Sequence, residues 1–139
     1  MRKPSREEAE RWLLHAQDEF VDADELRKRE RFYIALFHFQ QAAEKALKAF
    51  LYFHLKSVEI FYTHSIADLL ELAIEADPIF EEIKDVKKLD RYYIPTRYPN
   101  GLPGSIPSRF FDDPDEAKDA MLLAKKTLEL VQQKLNPNL

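Results

Sequence analysis

The segment from Phe32 to Leu55 constrains the fold more than any other part of the chain, because apolar side chains surround most of its circumference when it is drawn as a helix. A helix that is apolar on nearly all sides must be covered by its neighbours. Its polar positions fall largely on one stripe, formed by His38, Gln41, Glu44, Lys45 and Lys48. The sequence therefore predicts a central helix that is buried on several sides and presents one polar stripe at its surface.

The first and last helices are predicted from caps and from apolar spacing. Ser5 and Glu8 have the spacing of a capping box, and apolar residues then recur every three or four positions to about Lys28. Asp113 and Pro114 are typical of a helix start, and the apolar repeat that follows them continues until Pro137 stops it.

Two further helices are predicted between the central helix and the last one. Thr63 or Ser65 caps the third helix, and Pro78 starts the fourth, whose inner positions include Phe80 and Ile83. No segment sustains the alternation of apolar and polar residues that is typical of strands. We therefore predict an all-α fold, an up-and-down helical bundle of four long helices plus a short fifth helix, with a long Pro-rich loop before the last helix.

That loop, Ile94 to Asp112, contains both glycines of the chain and a proline at every fourth residue from Pro95 to Pro107. We expect the prolines to prevent a helix there. A connection of this length in a compact bundle is typically functional or disordered. We expect aromatic packing to pin the loop to the bundle and the flanking Pro95 and Pro99 to hold Arg97 in place. The aromatic residues are Tyr92, Tyr93, Tyr98, Phe110 and Phe111.

Length and composition indicate one globular domain, which we assign to residues 1–139. Hydrophobic residues make up 45% of the chain and charged residues 33%, and no apolar run approaches the roughly 20 residues that cross a bilayer. The absence of cysteine excludes disulfides and thiolate metal sites. The short polar stretch Met1 to Ser5 lacks the apolar core of a secretory leader, so we expect a cytoplasmic location.

The charge is unevenly distributed. The net charge is -4, yet the stretch from Lys84 to Arg109 holds six basic and two acidic residues, a net of +4, which leaves -8 on the remainder. A local basic region on an acidic protein suits one phosphate-bearing ligand or an acidic partner better than a DNA duplex. The alternative is a solvated helix face beside a loop.

Three motifs occur in order along the chain: QQAAEKALKA at Gln40 to Ala49, THS at Thr63 to Ser65, and YIPTRYP at Tyr93 to Pro99. Together they resemble the HEPN family of small helical domains, and the resemblance extends from Trp12 through the last helix. It implies a homodimeric bundle that is often paired with a minimal nucleotidyltransferase. In that pairing the HEPN protein supplies a helical surface for substrate or nucleotide, and its partner supplies the metal-dependent transfer.

The ribonuclease branch of the family carries an Arg followed, after four to six residues, by a His, in a site formed across the dimer. His64 is the last histidine of this chain, so neither Arg91, Arg97 nor Arg109 is followed by one. A literal match exists at Arg31 and His38, but about one such match is expected by chance in a chain of this composition. On one continuous helix the two residues would lie about 10 Å apart, which is far for binding one phosphate, unless the helix starts after Arg31. We therefore do not interpret this match as the ribonuclease motif.

The residues expected to contact a nucleotide come from the three motifs and the basic region. Arg97 is the first candidate, because a guanidinium is always charged and grips a phosphate with two parallel hydrogen bonds. The full set is Arg97, Tyr98, Arg91, Tyr93, Lys45, Lys48, Gln41 and His64.

Each main candidate also has a structural alternative. Arg97 pairs with an acidic residue such as Asp90, Lys48 forms an i,i+4 pair with Glu44 on the helix surface, and His64 bonds a loop carbonyl. The aromatic run in the central helix is read as core and dimer interface rather than as a base-stacking platform.

Other chemistries find no support. The four histidines include no His-x-x-x-His pair and no Glu-x-x-His repeat, and the glycines form no phosphate-binding loop, so we expect no metal and no cofactor.

The leading hypothesis is a nucleotide-binding homodimer that is a non-catalytic partner of a minimal nucleotidyltransferase, in a pair of the toxin and antitoxin kind. The alternatives are a metal-independent endoribonuclease using Arg97 or Arg91, and a purely structural dimeric bundle.

Overall fold

The computed structural model describes residues 3–55 and 59–137. Five α-helices lie in these ranges: α1 (Lys3–Lys28), α2 (Phe32–Leu55), α3 (Ile66–Ala76), α4 (Pro107–Phe110) and α5 (Pro114–Leu135). Three stretches are wound as 3₁₀ helix, namely Glu59–Tyr62, Pro78–Tyr92 and Pro99–Gly101. The described residues contain no strand. The predicted all-α fold is confirmed, and the long elements are α1, α2, α3, the 3₁₀ helix Pro78–Tyr92 and α5.

Helix α2 is the central element. It packs along α1 over most of its length and also against α5, α3 and the 3₁₀ helix Pro78–Tyr92. Its Leu36, Phe39, Leu47 and Leu51 are fully buried, and five of its alanines leave no accessible surface. Burial of side chains on nearly every face explains why the segment is apolar around most of its circumference.

Most helix boundaries follow the predicted caps. The Ser65 hydroxyl accepts a hydrogen bond from the Asp68 amide at the start of α3, and Asp113 caps α5 ahead of Pro114. The predicted capping box at Ser5 is wrong, because α1 already begins at Lys3 and Ser5 is its third residue. Glu8 instead accepts hydrogen bonds from Arg11 and Trp12.

Arg6 joins the start of α1 to the end of α5. Its guanidinium donates to the Leu135 carbonyl and to the side-chain oxygen of Asn136, at the end of α5. Carbonyls in the last turn of a helix lack partners within the helix, so this contact satisfies one of them.

The predicted fourth helix is present but differs in its winding. Pro78–Tyr92 is a 3₁₀ helix with a kink at Ile83, where φ is -114° and ψ is 26°. Its buried residues recur at every third position, and a helix with three residues per turn places them on one face. These residues are Phe80, Ile83, Val86, Leu89 and Tyr92.

The Pro-rich segment between Tyr93 and Asp113 is folded against the bundle. The expectation that its prolines prevent any helix is wrong, because Pro99 and Pro107 each occupy the first turn of a short helix, where a missing N–H costs nothing. Leu102 and Phe111 are buried anchors, and Phe111 packs edge-on against Tyr92. Tyr98 and Phe110 remain about half exposed, so the predicted aromatic pinning holds for only part of the set.

Across the described ranges, no helix combines the length and the apolar character that crossing a membrane requires.

Candidate functional site

Arg97 lies in the turn that follows the 3₁₀ helix and packs against three aromatic rings. Its guanidinium carbon is 4.5 Å from the ring centre of Tyr93, 4.7 Å from that of Phe37 and 5.2 Å from that of Tyr98. Its Nε donates to the Tyr93 carbonyl at 2.7 Å. The rings and this hydrogen bond hold the guanidinium, rather than the flanking prolines.

No carboxylate pairs with Arg97 among the residues that the structure describes. The predicted structural alternative, a pair with Asp90, is wrong, because both Asp90 oxygens accept backbone amides at the start of α3. Arg97 is exposed, and its two terminal nitrogens have no hydrogen-bond acceptor in the described part of the chain. The two nitrogens have the geometry to bind an anion in a forked arrangement.

His64 lies beside Arg97, on the same tyrosine. Its ring stacks on Tyr93 with centroids 5.3 Å apart and an interplanar angle of 17°. Its Nδ1 lies 3.2 Å from the Glu44 carboxylate, and 54% of the side chain is exposed. The alternative in which the imidazole bonds a loop carbonyl is therefore wrong. The His64 carbonyl itself accepts a hydrogen bond from Gln40.

The two charged residues beneath His64 are buried. Glu44 and Lys48 pair at 2.7 Å, and only 2% and 3% of their side chains are exposed. The predicted i,i+4 pair exists, but the expectation that this part of the α2 stripe is surface is wrong. Lys48 also donates to the Phe61 carbonyl, so it faces the loop that precedes α3 instead of solvent.

Two glutamines complete the network under His64. Gln41 is half-buried and donates to Gln40 at 2.7 Å and to Glu44 at 3.4 Å. Gln40 is fully buried and donates to Glu44 and to the His64 carbonyl. Gln40 was not among the predicted site residues, although a polar residue within the apolar part of the central helix is a signal for a buried polar network.

A cleft opens next to His64. It has a volume of about 290 Å³ and is lined by His64, Ser65, Asp90 and Tyr93. The structure thus brings together Arg97, Tyr93, Tyr98 and His64, with Gln41 and Lys48 attached through Glu44. These four residues, Arg97, Tyr93, Tyr98 and His64, are called the Tyr93 site below.

Lys45 belongs to a different cluster, on the side of α2 that faces α1. Its ammonium lies 2.5 Å from Glu19, which also bonds His38 at 2.7 Å. Burial by itself raises the pKa of Glu19, but the hydrogen bonds from His38 and Lys45 outweigh it and lower that pKa below its ordinary value. Lys45 therefore joins α1 to α2 rather than the Tyr93 site.

Arg91 also lies outside the Tyr93 site. It lines a groove of about 610 Å³ between the 3₁₀ helix Pro78–Tyr92 and α5, together with Lys88 and several carboxylates at the start of α5. In this groove the Tyr92 hydroxyl donates to Glu116 at 2.6 Å. Burial, followed by this bond, raises the pKa of Tyr92. The basic stretch from Lys84 to Arg109 is thus divided between two surfaces.

The literal Arg31 and His38 match does not form a pair. Helix α2 starts after Arg31, whose carbonyl accepts the first amide bond, from Ala35. The Arg31 guanidinium packs on Tyr33, whereas His38 bonds Glu19. In the described ranges, no three acidic or histidine side chains are grouped closely enough to hold a metal ion.

Comparison with known proteins agrees with this architecture. The family model of the HEPN domain matches residues 9–134. The crystal structure of TT1696 from Thermus thermophilus is 37% identical, with a TM-score of 0.79, over 91% of this chain and 97% of that one. The crystal structure of ST0689, described as an archaeal HEPN homologue, is 26% identical, with a TM-score of 0.73, over 92% of this chain and 98% of that one. No curated protein sequence matches the chain.

Proposed function

Because this chain belongs to the HEPN family, we propose that it binds a nucleotide at the Tyr93 site and acts as the non-catalytic binding partner of a minimal nucleotidyltransferase. The observation that carries the proposal is the state of Arg97. Its guanidinium is fixed against three rings, and its terminal nitrogens have no carboxylate partner among the described residues. An arginine held in this way loses little side-chain entropy when it grips a phosphate.

The surroundings of Arg97 match the other parts of a nucleotide. Tyr98 is 50% exposed and lies against the guanidinium, so a base stacks on it without displacing a core residue. The cleft beside His64 is also lined by Ser65 and Asp90. Their oxygens already accept amides at the start of α3 and keep further lone pairs that can accept a ribose or base donor. In this proposal the protein is a cytoplasmic homodimer, and the nucleotidyltransferase supplies the transfer chemistry.

Calorimetric titration of ATP, GTP, CTP and UTP at low and moderate salt tests the proposal. Wild type is expected to bind at least one nucleotide in the micromolar range, and Arg97→Ala to weaken that binding about tenfold or more. Arg91→Ala is the matched control, because Arg91 is an exposed arginine of the same basic stretch that lies in the groove with α5. It is expected to stay within about twofold of wild type. Equal losses in both variants, or no heat with any nucleotide, would contradict the proposal.

The partner is tested separately. Co-expression with a nucleotidyltransferase encoded beside this chain's gene is expected to yield a complex that survives gel filtration. Light scattering on the chain alone and on the complex measures whether the HEPN component is a dimer. If the chain binds nucleotide but co-purifies with no such enzyme, the proposed binding site stands and the proposed partnership with a nucleotidyltransferase is wrong.

One observation favours a second candidate, a metal-independent ribonuclease. The structure brings an arginine and a histidine to one tyrosine ring, and the Nε2 atom of His64 has no hydrogen-bond partner in the described part of the chain. In such cleavage the ribose 2′-hydroxyl attacks the phosphorus and the 5′-oxygen leaves as an alcohol. The arginine would stabilise the phosphorane, the histidine would take the proton of the 2′-hydroxyl, and water would protonate the leaving oxygen, so no metal takes part. Digestion of RNA in the presence of EDTA that disappears in both Arg97→Ala and His64→Ala would establish this activity.

A further inference from the structure

The Tyr93 site offers a ligand one guanidinium and, among the described residues, no second lysine or arginine. The Nε atom of Arg97 donates to the Tyr93 carbonyl at 2.7 Å, so its two terminal nitrogens are left for a ligand. Two parallel hydrogen bonds from these nitrogens suit a single phosphate group. The rings of Phe37, Tyr93 and Tyr98 confine the guanidinium, which limits how far it can follow a longer phosphate chain.

The other basic residues of the candidate motifs and of the Pro-rich segment are held elsewhere. The Lys48 ammonium is buried against a carboxylate of its own helix, and Lys45 is paired with a carboxylate of α1. Arg91 lies in the groove beside α5, and Arg109 lines a separate hollow near Gly104. A second phosphate group therefore finds no cation of its own at the site in the described part of the chain.

The cleft that borders Tyr93 carries a negative charge instead. Asp90 lines it together with His64 and Ser65. The Asp90 carboxylate is fixed there, because its two oxygens accept two backbone amides at the start of α3. A phosphate chain that extends from Arg97 into the cleft is repelled by this carboxylate. A chain that extends into solvent gains no contact and meets a protein whose net charge is -4.

We propose that the Tyr93 site selects nucleotides that carry a single phosphate group, so that its ligand is a nucleoside monophosphate rather than a diphosphate or triphosphate. The inference rests on the proposed nucleotide binding and names the class of nucleotide that the site takes. The one phosphate occupies both free nitrogens of Arg97, while the base stacks on Tyr98. Each further phosphate adds negative charge without adding a partner.

Titration calorimetry with AMP, ADP and ATP tests the inference. The titrations are made in low salt with EDTA at about pH 8, where terminal phosphates are fully ionised. AMP is expected to bind at least about fivefold more tightly than ATP, with ADP between them, and moderate salt is expected to reduce the difference. The same series with the other three bases ensures that the choice of base does not hide the effect.

A site built for triphosphates predicts the reverse order, because each phosphate of the chain then has donors of its own. Affinity that stays equal or rises with the number of phosphates overturns the inference but leaves nucleotide binding intact. Absence of binding for every nucleotide in the series overturns the proposed function as well.

Asp90→Asn separates the charge of the cleft from its shape. Asparagine keeps an oxygen that caps α3 but removes the negative charge. This variant is expected to gain affinity for ATP more than for AMP, so that their ratio falls at least about twofold. Asp85→Asn is the matched control, because it removes one charge from the same 3₁₀ helix on the side of the groove with α5. It is expected to keep the wild-type ratio.

Equal changes of the ratio in the two variants would mean that the net charge of the protein, and not the Tyr93 site, disfavours triphosphates, which overturns the inference. The wild-type series decides the question even if Asp90→Asn does not fold.

The dinucleotide ApA distinguishes a free monophosphate from a phosphate inside a strand. Its phosphodiester has two free oxygens and one negative charge, whereas the phosphate of AMP has three free oxygens and nearly two charges at about pH 8. AMP is therefore expected to bind more tightly than ApA. Tighter binding of ApA would assign the site to a nucleic-acid strand and overturn the inference.

Discussion

The carboxylate of Asp90 accepts the backbone amide of Ile66 at 2.8 Å, so a residue of the 3₁₀ helix Pro78–Tyr92 caps helix α3. Its second oxygen accepts the Ala67 amide at 2.9 Å. Two of the free amides at the start of α3 are thereby satisfied by a side chain 24 residues away. The contact fixes one wall of the cleft beside His64 and leaves Arg97 without the acidic partner that proximity in sequence suggested.

Asp90→Ala is expected to destabilise the protein by about 1–2 kcal/mol, because two amide hydrogen bonds at a helix start lose their acceptor. Urea denaturation measures the change. Asp85→Ala is the control in the same helix, since Asp85 is exposed and its ion pair with Lys88 is long, at 4.0 Å. It is expected to change the free energy of unfolding by less than about 0.5 kcal/mol. Equal effects of the two variants would show that the Asp90 cap adds nothing.

Arg97→Lys separates charge from shape at the Tyr93 site. The lysine keeps the positive charge but loses the planar group that lies against three rings and the forked donors. We expect nucleotide affinity to fall about fivefold to tenfold. Arg109→Lys, an exposed arginine later in the same segment, is expected to leave the affinity measured by titration calorimetry unchanged. Full affinity in Arg97→Lys would mean that charge alone is recognised.

Removing one member of the buried pair is expected to cost far more stability than removing both. Glu44→Ala leaves the Lys48 ammonium buried without a counterion and is expected to lower the free energy of unfolding by about 3–5 kcal/mol. The double change Glu44→Met with Lys48→Met is expected to stay within about 1 kcal/mol of wild type. Chemical denaturation of wild type, Glu44→Ala and the double variant measures their free energies of unfolding. A loss in the double variant as large as the loss in Glu44→Ala would contradict this expectation.

Glu19 makes part of the stability dependent on pH. Its pKa is lowered on folding from 4.5, so the folded protein binds this proton less readily than the unfolded chain. The stabilisation is therefore complete above about pH 5 and is lost as the pH falls through the lowered pKa. Glu19→Gln is expected to lose about 1–2 kcal/mol at pH 7 and much less at about pH 3.

Denaturation curves of wild type and Glu19→Gln at both pH values provide this test. Glu25→Gln is the control on the same helix, because the Glu25 carboxylate is exposed and forms a surface ion pair with Lys28 at 3.6 Å. Its effect is expected to be below about 0.5 kcal/mol at either pH. A loss in Glu19→Gln that is the same at both pH values would mean that the carboxylate charge is not what stabilises the contact.

The two glycines of the Pro-rich segment are expected to respond differently to alanine. Gly104 has a φ of 85°, a conformation that costs a residue with a side chain about 1 kcal/mol, although an added Cβ meets no atom within 4 Å. At Gly101 the added Cβ would lie 3.6 Å from Pro95, which is ordinary contact. Thermal unfolding of Gly104→Ala and Gly101→Ala compares them. A larger loss in Gly101→Ala would contradict the backbone argument.

The positions of the main helices can be predicted from the sequence because they depend on residues that are close to one another along the chain. The ends of α2 and α5 and the Ser65 cap follow from side-chain spacing and from groups that bond amides two or three residues away. The sequence also carries a sign of the 3₁₀ helix Pro78–Tyr92, because an apolar residue occurs at every third position from Phe80 to Tyr92. A helix was predicted there without its winding, and 3₁₀ helices of this length are rare.

The candidate site was predictable only in its parts. Arg97, Tyr93, Tyr98 and His64 come from motifs visible in the sequence, yet Phe37 and Glu44 of α2 join them, and no local pattern indicates which helix faces the turn. Lys45 and Lys48 show the limit most clearly. They lie three residues apart on one polar stripe, but Lys45 binds α1 and Lys48 is buried under His64.

Local spacing and capping thus specify where helices begin and end, because the groups involved are neighbours along the backbone. The environment of each polar side chain depends on which elements pack over it, and this is settled only when residues distant in sequence come together. The same ammonium group is a surface cation, an interhelical link or one half of a buried pair according to what covers it. The packing of the whole bundle, and not the polar stripe itself, determines which of these three roles a lysine has.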